Sequence, residues 1–519
     1  MAKSIRNAAG RLVPTAVNGT VCIPFKGVGS YKPAGSKAKP CIRTCRDYPA
    51  DGNKVQRNLE TALRKAGLRD GMTVSTHHHL RNGDLLTNQL FDTIRRMGVK
   101  GIRWFPSASF PCHEYLLKYF EDGTIHHIEG SMNGPIGRFA SEGRMAGVGV
   151  LRSHGGRYQA VQDGDVRIDI AVVAAPTSDP FGNANGLMGK SACGLLGFAL
   201  VDSEYADRVI VVTDNLVPFP CVPWHIQGNN VDFVVQVETL GDPSKIVSGT
   251  TEITRSPDRQ LIAEYAASFV EESGIMRNGF SFQAGTGGIS LAVVAILKKQ
   301  MQRKGIKARF VRGGSTGQLV DMLEKGLTEY ILDGQVFDET SVRSLRENPR
   351  HVATSPFTSY NYHGKGNFAS MLDFVVLGAT EIDLDFNANV VTHSDGYLLH
   401  GIGGWQDCLF SKCAILAVPS VRDRIPVIVD KVTTLCGPNE LIDVVVTERG
   451  IAINPRRTDL IAAMKKSSLP VRSIKEIQSD VYDICGGRPE RPQLEDNKVV
   501  AVVKWVDGTV LDSVHKVWT

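Results

Sequence analysis

Residues 68–105 read LRDGMTVSTHHHLRNGDLLTNQLFDTIRRMGVKGIRWF, and residues 276–311 read MRNGFSFQAGTGGISLAVVAILKKQMQRKGIKARFV. Both run in one order: a turn at Arg69-Asp70-Gly71 or Arg277-Asn278-Gly279, a short strand, a glycine-containing loop and a long amphipathic helix. Gly98-Val99-Lys100 or Gly305-Ile306-Lys307 and a second strand then follow. Gly71 and Gly98 stand 27 positions apart, Gly279 and Gly305 stand 26 apart. A strand–loop–helix–strand unit of that length predicts a βαβ crossover, whose strands run parallel. Two copies predict two related α/β domains, each with a mainly parallel sheet flanked by helices.

The flanking sequence extends this reading. IDIAVVAA (168–175), RVIVVT (208–213), PVIVD (426–430) and LIDVVVT (441–447) are unbroken apolar runs, as parallel strands buried on both faces require. Val55, Leu59, Ala62 and Leu63 share a helical face that Gly67 ends. A second helix over about 258–271 takes Ser256 as N-cap and Pro257 as its first residue, with Leu261, Ile262, Tyr265 and Phe269 as its face. The turn-rich segment LGDPSKIVSGTTEITRS (240–256) separates the copies. The expected organisation is an irregular arm over 1–54, a first α/β domain over 55–245 and a second over 246–519. Asp507-Gly508 between apolar runs predicts a closing antiparallel hairpin.

Composition sets the limits. At 519 residues the chain is too long for one core, and 42% apolar with 22% charged residues is ordinary for a globular protein. A net charge of +5 excludes a dedicated nucleic-acid surface. No apolar run approaches the ~18 residues of a membrane span, and MAKSIRNAAGRLVP lacks the apolar core of a secretory signal, so a cytoplasmic protein is expected. The cysteines, among them Cys41, Cys45, Cys408 and Cys413, form no C-x-x-C pair and are expected as reduced thiols, with no metal site.

Chemistry is expected where glycines follow strands in the second half. Gly285-Thr286-Gly287-Gly288 precedes a helix, Arg312-Gly313-Gly314-Ser315 precedes another, and His400-Gly401-Ile402-Gly403-Gly404-Trp405-Gln406-Asp407 follows an apolar stretch. Free N–H groups without side chains in the way attract anions and carbonyl oxygens. Loops at the carboxyl ends of parallel strands are where open α/β sheets bind ligands. None of the three is a G-x-G-x-x-G or Walker loop. GVGVLRSHGG (147–156) has glycines near dinucleotide spacing but no helix pattern after it, so a nicotinamide or ATP site is rejected.

These loops resemble those of the CoA transferases and acetyl-CoA hydrolases. HGIGGWQD (400–407) is similar to their G-x-GG-x-x-D loop, FQAGTGGISLAV (282–293) to the loop and helix opening their second domain, and IAVVAAPTSDPFGNANG (170–186) to a first-domain strand and turn. With VVVTERGIAINPRRTDL (444–460) and SYNYHGKGNFASMLDF (359–374), the pattern narrows to the α subunits of citrate lyase and covers most of the chain after residue 55. The resemblance implies the CoA-transferase (sugar isomerase-like) fold. It also implies a transferase reaction: acetyl thioester on an acyl carrier subunit plus citrate gives acetate and citryl thioester. A β subunit then cleaves the citryl thioester. The implied partners are that β subunit and the γ acyl carrier subunit, within an oligomer. The implied prosthetic group, of phosphoribosyl-dephospho-CoA type, sits on the carrier; CoA can substitute, and no cofactor is held tightly by this chain.

Relatives that form a covalent enzyme–CoA thioester carry a nucleophilic glutamate. The matching stretch here, KARFVRGGSTGQLVDML (307–323), has Gly313 at or beside that position and no carboxylate. Direct transfer between bound reactants is the expectation, with oxyanion stabilisation by the Gly403 and Gly404 amides. Citrate is expected near Arg312, Gly313, Gly314, His363, Lys365, Gly401 and Asp407, and the pantetheine arm near Gly285, Gly287 and Gly288. Arg309 is also a candidate cation, although strand alternation turns it toward solvent. The competing reading is an acetate-type CoA transferase or acyl-CoA hydrolase using Glu448, which otherwise reads as an orienting carboxylate. Asp407 reads as a loop brace, and Asn183 and Asn185 as turn residues. His77, His78 and His79 lack ligand partners at metal spacing and are expected at the surface or a pocket edge, opposite the Gly285 loop.

Overall fold

The computed structural model describes residues 3–36, 48–247, 252–285 and 287–518. Two parallel sheets organise the chain. The first has seven strands in the order Val55–Gln56, Phe233–Gln236, Arg208–Thr213, Ile170–Ala174, Thr73–Thr76, Ile102–Pro106, Ile125–Ile128, all pairing parallel. The second has eight: His351–Ala353, Thr328–Val336, Ala308–Ser315, Ser281–Ala284, Phe374–Leu377, Ala414–Ala417, Val444–Thr447 and Gly450–Ile453. Its last pair alone is antiparallel.

Both quoted stretches fold as crossovers. Thr73–Thr76 lies beside Ile102–Pro106 with Val74 opposite Trp104, and Ser281–Ala284 lies beside Ala308–Ser315 with Ser281 opposite Phe310. The intervening helices are Leu86–Arg96 and Gly288–Lys304. The second ends because Gly305 takes a left-handed conformation, φ +65°, and its N–H closes onto the Met301 and Gln302 carbonyls. Leu297 and Met301 on its inner face are fully buried. Each such side chain contributes roughly 1.5–3 kcal/mol of burial, so Leu297→Asp would break this packing.

Several local expectations change. Val55 belongs to an edge strand rather than to the helix, which is Leu59–Lys65 with Asn58 capping the Thr61 N–H. PVIVD lies outside the main sheet: Ile428–Val429 pairs with Glu381–Asp383 in a small side sheet, because Pro426 and the tight Val421–Arg422/Ile425–Pro426 turn hold the segment short. The helix Pro257–Glu272 starts after Ser256 as expected, but its buried face runs through Ile262, Ala263, Ala266, Phe269 and Val270, with Leu261 and Tyr265 only partly covered. The stretch after GVGVLRSHGG is a helix, His154–Asp163, buried on almost every side. A helix wrapped by protein needs no polar face, so the amphipathic period is missing.

The chain's ends meet the first half. The hairpin Leu494–Lys504/Val510–Val517 forms as expected around Gly508, φ +87°, and its first strand pairs parallel with Gly149–Leu151. The arm before Val55 carries the short ladders Ser4–Arg6/Leu12–Pro14 and Ala16–Val17/Thr20–Val21 and bonds to the hairpin through Phe25 N–H to the Val510 carbonyl, 2.9 Å. Cys41 and Cys45 lie outside the described residues; the described cysteines are unpaired thiols. Among the described residues no helix is long and apolar enough to cross a membrane, and no cluster of His, Cys, Asp or Glu is placed to hold a metal ion.

Candidate active site

The three glycine loops meet around one cavity of ≈ 290 Å³, beyond the carboxyl ends of the second sheet's strands. Gly285, Gly313, Gly314, Gly403 and Gly404 all line it. Gly313 sits at φ +114°, at a bulge in the pairing of Ala308–Ser315 with Thr328–Val336. Only glycine adopts that conformation without strain. A side chain on Gly314 would overlap the Phe337 ring, so neither glycine can carry a glutamate in this backbone.

Gly403 takes φ +62° and its carbonyl accepts the His154 N–H at 2.8 Å. Gly404 caps the short helix Trp405–Cys408. Among the described residues neither the Gly403 nor the Gly404 amide donates a hydrogen bond, so both are free for an oxyanion. Gly401 is different: its N–H goes to Asn133 Oδ1, 3.1 Å, and the residue packs on Ser131, which ties the loop to the first half.

Gly287 and Gly288 do not line this cavity. With Gly285 they border a larger one of ≈ 660 Å³, walled also by Arg259, His393, His400 and Arg422. Gly285, Leu377 and Trp405 belong to both cavities, so the two adjoin.

Arg312 is 1% exposed and stands behind the cavity wall rather than in it. Nη1 donates to Gln283 Oε1 at 3.0 Å, and the guanidinium lies 4.7 Å from the Tyr360 ring centroid; Gln283 and Tyr360 both face the cavity. Nε and Nη2 are buried without a hydrogen-bond partner, and among the described residues no carboxylate forms an ion pair with Arg312. A guanidinium stays charged at any physiological pH; burial disfavours that charge here, and the surrounding Tyr360, Cys408 and Asp407 more than offset it, so its pKa is raised.

The remaining expected contacts lie elsewhere. His363 pairs with Asp163 at 2.9 Å, Lys365 is exposed, and neither borders the cavity. Arg309 points to solvent. Asp407 is 1% exposed and accepts from Ser153 Oγ (2.8 Å), Tyr362 Oη (2.8 Å) and Gly155 N (3.0 Å), bracing the start of helix His154–Asp163. Burial outweighs those bonds and pushes its pKa up to about 6. The Gly155 and Gly156 amides are therefore occupied, by Asp407 and Ser153, and hold no dinucleotide phosphate. Glu448 accepts the Ser420 N–H at 2.9 Å and lines neither cavity. Asn183 donates to Asp179 Oδ2 within a turn, and Asn185 donates to the Pro223 carbonyl.

The three consecutive histidines are buried, not at the surface. His77 bonds Asp202 at 2.8 Å, and Asp202 also holds Arg157 through both oxygens. His78 reaches across to the second half, with Ser107 Oγ on Nδ1 (2.6 Å) and Gln335 Oε1 on Nε2 (3.2 Å). Its ring stacks on His154 at 5.6 Å. The strand ends of the two sheets face each other here, which draws the triplet inward. Sequence reasoning missed His154, Gln335, Phe337 and Tyr360 in the cavity wall. Ser153, ahead of His154-Gly155-Gly156, is the N-cap signal in sequence for the helix His154–Asp163.

The family model for citrate lyase, alpha subunit (CitF), matches residues 52–517. The chain belongs to the citrate lyase α-subunit family. The citrate lyase alpha chain of Haemophilus influenzae is 40% identical over 483 residues, 93% of this chain and 95% of that one. That of Escherichia coli K12 is 42% identical over 470 residues, 90% and 92% of the two chains. A solved α subunit of citrate lyase from Streptococcus mutans, in complex with citrate, superposes with a TM-score of 0.91 at 41% identity, covering 99% of this chain and 100% of that one. The family makes this chain the transferase subunit of a multi-subunit citrate lyase complex. A malonate decarboxylase from Pseudomonas, at TM-score 0.59 and 18% identity over 84% of each chain, shares the fold.

Proposed function

We propose that this subunit exchanges acetyl for citryl on the thioester of an acyl carrier subunit by direct transfer between bound reactants, with no acyl or thioester link to the protein. One observation carries the reading: among the described residues that line the cavity where the three glycine loops meet, none is Asp, Glu, Cys or Lys. The chemistry then rests on approximation and oxyanion stabilisation.

Citrate occupies the ≈ 290 Å³ cavity, where the unpaired Arg312 cation behind Gln283 and Tyr360 favours an anion. The Streptococcus mutans relative, solved with citrate, supports that ligand. The pantetheine arm enters through the adjoining ≈ 660 Å³ cavity past Gly285. A citrate carboxylate oxygen adds to the acetyl thioester carbonyl, whose oxygen takes the negative charge and faces the Gly403 and Gly404 amides. Such amides contribute about 3–4 kcal/mol. Collapse breaks the C–S bond and leaves a mixed anhydride and a thiolate. The thiolate adds to the citryl carbonyl, and acetate departs. The carrier (γ) subunit brings the prosthetic group, the β subunit cleaves citryl thioester, and this chain holds no tightly bound cofactor.

The test is purified protein with acetyl-CoA and a panel of carboxylates. Acetate release that depends on citrate, and not on succinate or butyrate, is expected. Exchange with every monocarboxylate would overturn the citrate assignment.

A further inference from the structure

We propose that His154 is a catalytic residue of this transfer, a neutral hydrogen-bond donor to the oxygen that becomes charged when the thioester carbonyl is attacked. The inference rests on the direct-transfer reading above.

The placement carries it. His154 opens the helix His154–Asp163 and lines the cavity. Its backbone N–H is fixed to the Gly403 carbonyl, and its Nε2 stands 3.9 Å from where a β-carbon on Gly403 would be. Ring and loop therefore move as one unit beside the free Gly403 and Gly404 amides. The imidazole is clamped by stacking on His78, 5.6 Å away at 13°, and by Phe198 at 4.7 Å. Among the described residues neither ring nitrogen of His154 has a hydrogen-bond partner. Its neighbours are committed: His78 to Ser107 and Gln335, His77 to Asp202, Asp407 to Ser153, Gly155 and Tyr362. His79 also leaves both ring nitrogens unpaired, but it does not line the cavity; among the described residues His154 is the unspent imidazole that does.

The surroundings keep it uncharged. The charged and titratable groups around it are Arg157 on its own helix, His78 from the loop after Thr73–Thr76, and Asp407 from the 400–407 loop. Arg157 disfavours a second positive charge, and Asp407 spends its oxygens on the helix start. Burial, reinforced by Arg157, pushes the His154 pKa down to about 3.

A neutral donor is what this exchange needs. Carboxylate plus thioester gives thioester plus carboxylate, so no proton is consumed. In the first half a C–O bond forms, the carbonyl π pair moves to oxygen, and the C–S bond breaks with its pair on sulfur. In the second half a C–S bond forms and acetate leaves with the C–O pair. An imidazolium beside the sulfur would protonate the thiolate and remove the nucleophile the second half requires. A neutral N–H supports both oxyanions and gives up nothing.

The experiment uses the full chain with His154→Ala, His154→Gln and His154→Phe, each checked by its thermal midpoint. The Phe variant keeps the stacking and lacks the N–H. Citrate-dependent acetate release from acetyl-CoA is followed as kcat and citrate KM. The expectation is a loss of about 100-fold in kcat for Ala and Phe, citrate KM within about threefold of wild type, and partial recovery of kcat in the Gln variant, whose amide donates. Unchanged kcat in Ala or Phe, or a Gln variant no better than Phe, overturns the inference alone. A wild-type chain that releases no acetate with citrate overturns the parent reading and this one with it.

Discussion

A β-carbon on Gly404 would stand 2.7 Å from the hydroxyl oxygen of Tyr360, whose ring in turn carries the Arg312 guanidinium at 4.7 Å. The glycine loop, the aromatic wall and the buried cation are thus in series. Gly404→Val pushes the Tyr360 tip and the free amide out of place while leaving the core alone, since the clashing atom ends a side chain. The expected outcome is a fall in kcat of about 100-fold or more with the thermal midpoint within a few degrees of wild type. Full activity would discard the oxyanion role of this loop.

Direct transfer predicts that no residue is labelled when acetyl-CoA and the enzyme are mixed and treated with hydroxylamine or borohydride. Glu448, the one rival suggested by sequence, is held by Ser420 N–H at 2.9 Å outside both cavities. Glu448→Gln should therefore keep citrate-dependent turnover within about threefold of wild type. Mass spectrometry finding an acylated or pantetheinylated carboxyl peptide after one turnover would defeat the mechanism.

What was legible in the sequence follows from what each signal depends on. The repeat at 68–105 and 276–311 and the run RVIVVT are local patterns tied to chain periodicity, and they become the strands and helices they imply. The three glycine loops are legible for the same reason, and they converge. Burial set by the other half of the chain leaves no local trace. His77, His78 and His79 go inward because the strand ends of two sheets face each other, and the helix His154–Asp163 lost its amphipathic signature because it is covered all round. His363 and Lys365 are basic residues near the right motif in sequence, but neither borders the cavity.

Among the described residues, the buried Arg312 cation makes its side-chain hydrogen bond to Gln283 and leaves Nε and Nη2 without one. Replacing it with Met keeps volume and removes a buried charge together with its desolvation cost and its attraction to Asp407, so the empty protein should keep a thermal midpoint within a few degrees of wild type. Citrate binding loses its attraction: KM for citrate should rise about tenfold or more. Thermal midpoints without citrate, set beside citrate KM, separate the two effects. A lower midpoint with unchanged KM would make Arg312 a structural residue.

Asp407 has a pH signature of its own. Its folded-state pKa lies at about 6 because burial outweighs the bonds from Gly155, Ser153 and Tyr362, against about 3.9 for an unfolded aspartate. Between those values the folded chain binds more protons than the unfolded one. This residue's contribution to stability therefore falls as pH rises from about 4 to about 6 and is flat above, a change of about 3 kcal/mol. Asp407→Asn should fold, since its amide oxygen can take the Gly155 N–H while the Ser153 and Tyr362 hydroxyls rotate to accept from the amide nitrogen. Relative to wild type it should gain stability as pH rises through that window, read as the difference in thermal midpoint at pH 4.5 and pH 7. An Asn variant that tracks wild type at both pH values would show that Asp407 is ionised throughout, and that its carboxylate braces the His154 helix at no electrostatic penalty.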